Sequence, residues 1–276
     1  EGEFTMLELV EYFSAHHRTD LSEIDAVDGI CYRLPIEQIQ QHDNTDNVRT
    51  LTGKQALTQE EMESGWRLQK TRPRKKFKKL DQLPKPARHL LPPDIYKPIP
   101  VDNHATPKFA MVSSRGCPHA CAFCQKSHTG YRSHSPQYVV DEMESLVRDF
   151  GAKDIAFVDS LFCANKKRVH AICDEIIRRG LQHKISWTCS SRVEVVDKPL
   201  LQKMKDAGCW RTRFGIESGH DTVLDFISKG ITQDKIKSAI TAAHEVGLRP
   251  KAFFMVGHMP DTRERILETI RFAKSI

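Results

Sequence analysis

The sequence predicts an α/β protein whose larger part is a parallel sheet built from five β/α units over residues 108–276. Two observations support this fold class. Short apolar segments alternate with longer segments whose apolar residues recur at spacings of three and four, and the short segments begin 27 to 45 residues apart. Residues 37–107, in contrast, are polar, basic and rich in proline, so the alternation begins only after them.

The order of elements follows from periodicity and from residues that start or stop helices. In the helix predicted at 136–150, for example, Val139, Met143 and Leu146 lie on one face, and Gly151 ends the helix. The predicted strands are 109–113, 154–158, 185–189, 212–216 and 250–256. The predicted helices are 136–150, 166–179, 198–207, 220–228 or 232–246, and 261–274.

The first 107 residues are predicted to hold two further regions, 1–36 and 37–107. In the first, an amphipathic helix at 6–13 is expected to be capped by Thr5 with Glu8 completing a capping box, and a short strand follows within 24–33. In the second, a short helix is possible at 58–68, and prolines make the stretch up to 107 an extended connector without regular helices.

Composition limits the classes of function. The net charge of +6 is local, because residues 70–79 contain seven basic side chains and no acidic one, so the other 266 residues sum to −1. This basic run could contact phosphate, RNA or an acidic partner, but a solvated linker explains it better, and nucleic acid is an unfavoured partner. No apolar run approaches the ~18–20 residues that span a membrane.

Eight cysteines without a secretory signal indicate a reducing, cytoplasmic environment. We expect five of them to be free thiols that mostly pack as small apolar groups. These are Cys31, Cys163, Cys173, Cys189 and Cys209.

The other three cysteines, Cys117, Cys121 and Cys124, lie within eight residues directly after the first predicted strand. The spacing Cys-x-x-x-Cys-x-x-Cys places three thiolates on one loop, where they can hold three irons of a cubane iron–sulfur cluster. The fourth iron then has no protein ligand, which is typical of a site where a cofactor or substrate reacts. A zinc knuckle with His119 or His128 as fourth ligand is the alternative, although zinc sites usually pair their ligands as two separated couples.

With Phe123 just before the third cysteine, this motif resembles that of the radical S-adenosylmethionine (radical SAM) enzymes. The resemblance implies a partial parallel (β/α) barrel, of which this chain would hold five of six units. It also implies a [4Fe-4S] cluster whose open iron binds S-adenosylmethionine, and reductive cleavage of that cofactor to a 5′-deoxyadenosyl radical. A reductant such as ferredoxin or flavodoxin would then be a partner.

Further residues resemble the family's cofactor contacts, each after a predicted strand. The family resemblance assigns Glu217 and Ser218, in Gly-Ile-Glu-Ser-Gly, to the methionine ammonium or ribose, and Asp159 to the same amino group. Arg192 could pair with the cofactor carboxylate, Gly257 would leave room for the adenine, and Phe123 is a further predicted cofactor contact. A helix-capping role for Asp159 and a surface salt bridge for Arg192 are the alternatives. His119 is expected to face solvent.

Residues 1–36 are similar to the end of the cobalamin-binding domain that precedes the radical domain in one subfamily. The usual Asp-x-His-x-x-Gly cobalt-ligand motif is not present, because Asp102 and His104 lack the following glycine. We therefore expect a piece of a larger enzyme, with cobalamin possible only in the full-length protein. The implied reaction is methyl transfer or ring formation on a small metabolite. An RNA-modifying methylthiotransferase-like enzyme and a non-catalytic metal or electron-transfer module are the alternatives.

Overall fold

The structure, a computed structural model, describes residues 2–15, 24–35, 64, 66–91, 97, 99, 102, 104–125 and 130–276. The chain divides into two compact units, Glu1–Lys78 and Lys79–Ile276. His128, the alternative metal ligand, lies outside the described residues. Among the described helices, none has the length and apolar character needed to cross a membrane.

The first unit contains helix α1 (Glu3–Ala15) and an antiparallel pair of strands, β1 (Cys31–Pro35) and β2 (Trp66–Lys70). Its buried apolar residues are Tyr12, Ile24 and Val27. The helix predicted at 58–68 is wrong over Trp66–Leu68, which is strand β2, and 58–63 lies outside the described residues. The error has a physical cause, since β2 is stabilised by backbone pairing with a strand more than 30 residues away.

The predicted capping box is also wrong, because α1 begins at Glu3 and Thr5 lies inside it. The Thr5 hydroxyl donates to the Asp28 carbonyl at 3.1 Å and accepts from Arg74 Nε at 2.8 Å. Glu8 pairs with the same guanidinium instead of with the helix start. These side chains thus hold α1 to later parts of the unit.

The second unit is organised by a five-stranded sheet with the order β3-β6-β7-β8-β9, in which every pair is parallel. Its strands are β3 (Lys108–Met111), β6 (Asp154–Phe157), β7 (Ser186–Ser191), β8 (Cys209–Glu217) and β9 (Lys251–Phe254). A separate short pair joins β4 (Ser114–Arg115) to β5 (Arg132–Ser133). The predicted α/β class with an open, partial parallel barrel is confirmed, and the described residues form no closed barrel.

Helices connect the strands. They are α2 (Pro136–Phe150), α3 (Lys166–Arg178), α4 (Lys198–Asp206), α5 (Asp221–Phe226), α6 (Gln233–Glu245) and α7 (Arg263–Ser275). Both alternatives that the sequence offered after β8 are therefore helical. The starts of five of them are encoded locally, since a polar side chain before the helix accepts a hydrogen bond from the backbone N–H three residues later. These capping residues are Ser135, Asn165, Asp197, Thr232 and Thr262.

The main core lies between the sheet and these helices. Strand residues such as Phe157, Trp187, Phe214 and Ile216 point into it. Alternate residues of β8, including Arg211, Arg213 and Gly215, therefore face the opposite side of the sheet. Four of the five cysteines expected to pack as apolar groups are buried, whereas Cys31 is exposed.

Charged side chains occupy the amino ends of the strands. Asp102 pairs with Arg211 at 2.9 Å and Lys251 at 3.0 Å, and Lys108 pairs with Asp154 at 2.9 Å. His104, which shared the incomplete cobalt motif with Asp102, stacks on the Trp210 ring at 4.9 Å. These interactions stabilise the amino ends of the strands. The residues of the candidate site lie at the opposite, carboxyl ends.

The segment before β3 packs against α2. Within its described part it has 3₁₀ turns at Leu80–Gln82 and Arg88–Leu90 and no α-helix, as its prolines predicted. The Tyr138 hydroxyl donates to the Leu83 carbonyl at 3.1 Å, and Arg88 pairs with Glu142 at 2.6 Å. The connector is thus fixed to the helix that follows the cysteine loop.

Candidate cofactor site at the carboxyl ends of the strands

The residues singled out in the sequence follow the ends of the parallel strands. The cysteine loop follows β3 and β4, Asp159 follows β6, Arg192 follows β7, Glu217 ends β8 and Gly257 follows β9. Active sites of parallel β/α barrels gather at this edge, because the loops there vary while the barrel stays fixed. The topology therefore brings the predicted site residues to one side of the second unit.

The cysteine loop is folded on itself and tied to its surroundings. Cys121 is buried, whereas Cys117 and Cys124 are half-buried. The Cys124 amide donates to the Cys121 carbonyl at 3.0 Å, and the Ala122 amide donates to the Ile227 carbonyl at 2.9 Å. Within the described residues, the side chains of Cys, His, Asp and Glu are not gathered three or more together in a way that could hold a metal ion. The ligand role of the three cysteines therefore stays a prediction.

Asp159 holds the start of this loop. Its carboxylate accepts from the Ser113 amide at 2.7 Å, the Ser113 hydroxyl at 2.6 Å and the Ser114 hydroxyl at 2.5 Å. Asp159 and both serines are buried. Since both carboxylate oxygens accept bonds from the chain, the contact predicted with the cofactor amino group stays untested, and anchoring of the loop is what the structure shows.

A buried arginine that the sequence did not single out supports the same segment. Arg168 Nη2 donates to the Ser113 carbonyl at 2.8 Å, and its Nε donates to the His134 carbonyl at 2.8 Å. Arg168 lies in the first turn of α3, three residues after the capping Asn165. Its position in the sequence is that of an ordinary helix residue, so only the tertiary structure assigns it this role.

Arg192 lies against the cysteine loop and is 7% exposed. Its Nη1 donates to the Cys121 Sγ at 3.1 Å. Its Nε donates to a Glu194 carboxylate oxygen, and its Nη2 donates to the Lys229 backbone carbonyl. Arg192 thus forms a salt bridge with Glu194, but a largely buried one and not the surface salt bridge considered for it. The pairing with a cofactor carboxylate stays a prediction.

Glu217 forms a buried ion pair with Lys229. The Lys229 Nζ lies 2.7 Å from Glu217 Oε1, and the two side chains are 5% and 9% exposed. Gly215 makes room for the pair, because a Cβ at that position would lie 2.6 Å from Glu217 Oε1 and 3.0 Å from Lys229 Nζ. Sequence reasoning found Glu217 but missed Lys229, whose Ser-Lys-Gly context is that of an ordinary surface turn.

The backbone at Glu217 is unusual. Its φ is +71°, a left-handed conformation that is uncommon for a residue other than glycine. The register between β8 and β9 also shifts between Gly215 and Glu217. Such bulges redirect side chains and are frequent next to active sites.

The remaining predicted contacts occupy the rim. The Ser218 hydroxyl lies 3.2 Å from that of Thr269, so it binds within the chain. Phe123 is 39% exposed, and its ring lies 5.9 Å from that of His258 and 5.6 Å from Lys229 Nζ. At Gly257, where φ is +92°, a Cβ would meet no atom within 4 Å. The backbone there leaves open space, and the contact of Gly257 with the adenine stays a prediction.

His119 lies between Cys117 and Cys121 in the sequence and was expected to face solvent. Its side chain is 30% exposed and its Nδ1 lies 4.0 Å from Glu194 Oε1. Burial, and then the nearby Arg192 charge, lower the pKa of His119. His119 is therefore half-buried, and both effects favour its neutral form.

Comparison with known proteins agrees with this fold. Residues 111–273 match the family model of the radical SAM superfamily, which is more than half of the chain. An uncharacterized methyltransferase of Pyrococcus horikoshii is 39% identical over 207 residues, which cover 74% of this chain and 44% of that protein. An anaerobic magnesium-protoporphyrin IX monomethyl ester cyclase of Cereibacter sphaeroides is 36% identical over 183 residues, covering 65% and 29%.

Among solved structures, the cobalamin-dependent S-adenosylmethionine radical enzyme OxsB has a similar fold, with a TM-score of 0.70 at 19% identity, over 99% of this chain and 35% of that one. OxsB has also been solved with aqua-cobalamin and S-adenosylmethionine bound. The chain spans less than half the length of each of these relatives. It belongs to the radical SAM superfamily, whose members use a [4Fe-4S] cluster and S-adenosylmethionine.

Proposed function

We propose that this chain carries the cofactor-binding part of a radical SAM enzyme, in which Cys117, Cys121 and Cys124 hold a [4Fe-4S] cluster and S-adenosylmethionine binds beside it. The observation that carries the proposal is the position of the three-cysteine loop. It follows the first parallel strand at the sheet edge where Glu217 ends the fourth, and Arg192 connects the two regions.

The residues present fit the cluster by their chemistry. Thiolates are the usual ligands of iron–sulfur clusters, and a cluster held by three thiolates is anionic. Two buried cations, Arg192 and Lys229, lie next to the loop, one bonded to Cys121 and the other above the Phe123 ring. Each cation is also paired with a glutamate, so what they offer the cluster is the charge-assisted hydrogen bond from Arg192 to Cys121.

A cluster held by Cys117, Cys121 and Cys124, with S-adenosylmethionine beside it, would supply one-electron reductive cleavage and hence the radical chemistry of the site. The residues of this chain would bind and orient S-adenosylmethionine and keep water away from it. Glu217 would accept a hydrogen bond from the cofactor ammonium or ribose, with Lys229 holding its carboxylate in place. Gly257 and Phe123 would border the adenosyl group.

The proposed reaction is methyl transfer to a small metabolite, with ring formation as the second candidate. The names of the relatives support both, since one is called a methyltransferase and another a cyclase. Cobalamin would be held by parts of the full-length protein beyond the motifs found here, and a small electron carrier such as ferredoxin or flavodoxin would reduce the cluster. An RNA-modifying role has less support, because no second cluster motif occurs in the sequence.

The test is anaerobic reconstitution with iron and sulfide, followed by addition of dithionite and S-adenosylmethionine. We expect 5′-deoxyadenosine and methionine from the wild-type chain and neither from Cys121→Ala. A chain that binds the cluster but leaves S-adenosylmethionine intact and unbound would be an electron-transfer module. That outcome would contradict the proposal.

A further inference from the structure

We propose that Arg192 is a positioning residue that sets the reduction potential of the cluster through its hydrogen bond to Cys121, and does not act mainly as a clamp for the cofactor carboxylate. The inference rests on the proposed function, since it requires Cys121 to be a cluster ligand. It goes beyond that function by giving Arg192 a role at the sulfur of Cys121.

The guanidinium is held by three separate parts of the chain. Each of its three nitrogens donates to a different acceptor: Nη1 to Cys121 Sγ at 3.1 Å, Nε to the Glu194 carboxylate and Nη2 to the Lys229 carbonyl. A bidentate pair with an external carboxylate would use two of these nitrogens together. The surroundings therefore fix the arginine towards Cys121.

Lys229 contributes twice to this arrangement. Its carbonyl fixes Arg192, and its ammonium pairs with Glu217 at 2.7 Å. One residue thus links the acid proposed to bind the cofactor with the arginine that touches the cluster loop. Neither contact could be predicted from the spacing of these residues in the sequence.

Hydrogen bonds to ligand sulfurs are among the features that set iron–sulfur potentials. Reduction adds negative charge to the cluster and its thiolates, so a cationic donor at Cys121 stabilises the reduced state more than the oxidised state. Cys121 and Arg192 are each 7% exposed, and low solvation strengthens their interaction.

The experiment is a redox titration of the reconstituted chain followed by electron paramagnetic resonance, on the wild type, Arg192→Gln, Arg192→Lys and the control Lys237→Gln. Lys237 lies on α6 and is exposed. We expect Arg192→Gln to retain its iron. The equilibrium constant for one-electron reduction of its cluster should fall at least tenfold, which is a shift of about 59 mV to more negative potential. Arg192→Lys keeps the charge but not the planar fork, so it should shift in the same direction by less.

Calorimetric titration of the protein with its oxidised cluster distinguishes this role from binding of the cofactor carboxylate, because it measures the affinity for S-adenosylmethionine. Affinity within twofold of the wild type, together with the shifted potential, supports the proposal. An unchanged potential with tenfold weaker binding would assign Arg192 to the carboxylate and overturn it. Should Arg192→Gln lose its cluster, Arg192→Lys decides, since an unshifted potential in that variant refutes the role. A wild-type chain without any cluster would instead refute the proposed function itself.

Discussion

The ammonium of Lys229 lies 2.7 Å from a carboxylate oxygen of Glu217, with both side chains almost fully buried beside the cysteine loop. Taking two charges out of water has a large cost that only their mutual attraction and good geometry offset. Removing one partner leaves the other buried and uncompensated. Variants of Glu217 and Lys229 therefore test the stability of the chain and its cofactor binding separately.

Lys229→Met should destabilise the cluster-free chain by about 3–5 kcal/mol, because it leaves the Glu217 carboxylate buried without a partner. The double variant Lys229→Met with Glu217→Gln should recover part of this loss, since no charge then remains. Urea unfolding followed by circular dichroism measures both. If the single variant unfolds like Lys237→Met, the ion pair does not form in solution.

Glu217→Gln tests the cofactor contact. A charge-assisted hydrogen bond exceeds a neutral one by about 1 kcal/mol or more, so binding of S-adenosylmethionine should weaken at least about fivefold while iron content is unchanged. Calorimetric titration of the reconstituted protein gives the affinity. Glu268→Gln, on the exposed side of α7, is the matched control. Equal affinity in the two variants would remove Glu217 from the cofactor site.

Asp159→Ala should destabilise the loop that carries the cysteines. The substitution leaves three buried donors of Ser113 and Ser114 without their acceptor, at a cost of about 1–3 kcal/mol for each donor left unsatisfied. We expect a lower urea midpoint and reduced iron retention during desalting. The neighbouring Ser160→Ala, at an exposed position, should change stability by less than about 0.5 kcal/mol. An Asp159→Ala protein as stable as that control would show that the anchor is dispensable.

The ion pairs at the amino ends of the strands predict a pH dependence. The hydrogen bond from Lys251, followed by the charges of Lys251, Arg213 and Arg211, holds the pKa of Asp102 below its usual range although partial burial opposes this. The stabilisation is therefore complete above the unfolded pKa of about 3.9 and is lost as the pH falls through the lower folded value. The difference in unfolding free energy between the wild type and Asp102→Asn, measured on cluster-free protein, should be constant near neutrality and shrink below about pH 4. A difference that does not change with pH would contradict this assignment.

Local signals in the sequence were enough to predict most helices and strands of the second unit. The helix Pro136–Phe150 has the predicted bounds and ends at Gly151 as predicted, and the five strands alternate with helices as expected. Errors arose where distant pairing decides the outcome, as at Trp66–Lys70, which is a strand because β1 provides its partner. Thr5 likewise lies inside its helix and bonds to Asp28 and Arg74 from elsewhere in the chain.

For the candidate site, the motif located the loop and the strand ends, but not the contacts among them. Glu217 was recognised from its glycine-rich context, whereas Lys229 and Arg168 acquire their roles only through the folded chain. The positive φ of Glu217 and the close approach to Gly215 also belong to the tertiary structure. Residue types and spacing indicate which chemistry a site supports, while packing determines which charges face each other.

The most direct test of the central claim is the iron and acid-labile sulfide content of the anaerobically purified chain, compared with Cys121→Ala and with the control Cys31→Ser. Cys31 is exposed in the first unit and has no proposed ligand role. A cubane cluster on these cysteines predicts about four irons and four sulfides per chain in the wild type and in Cys31→Ser, and loss of both in Cys121→Ala. Stoichiometric zinc without sulfide, or full iron content in Cys121→Ala, would contradict it.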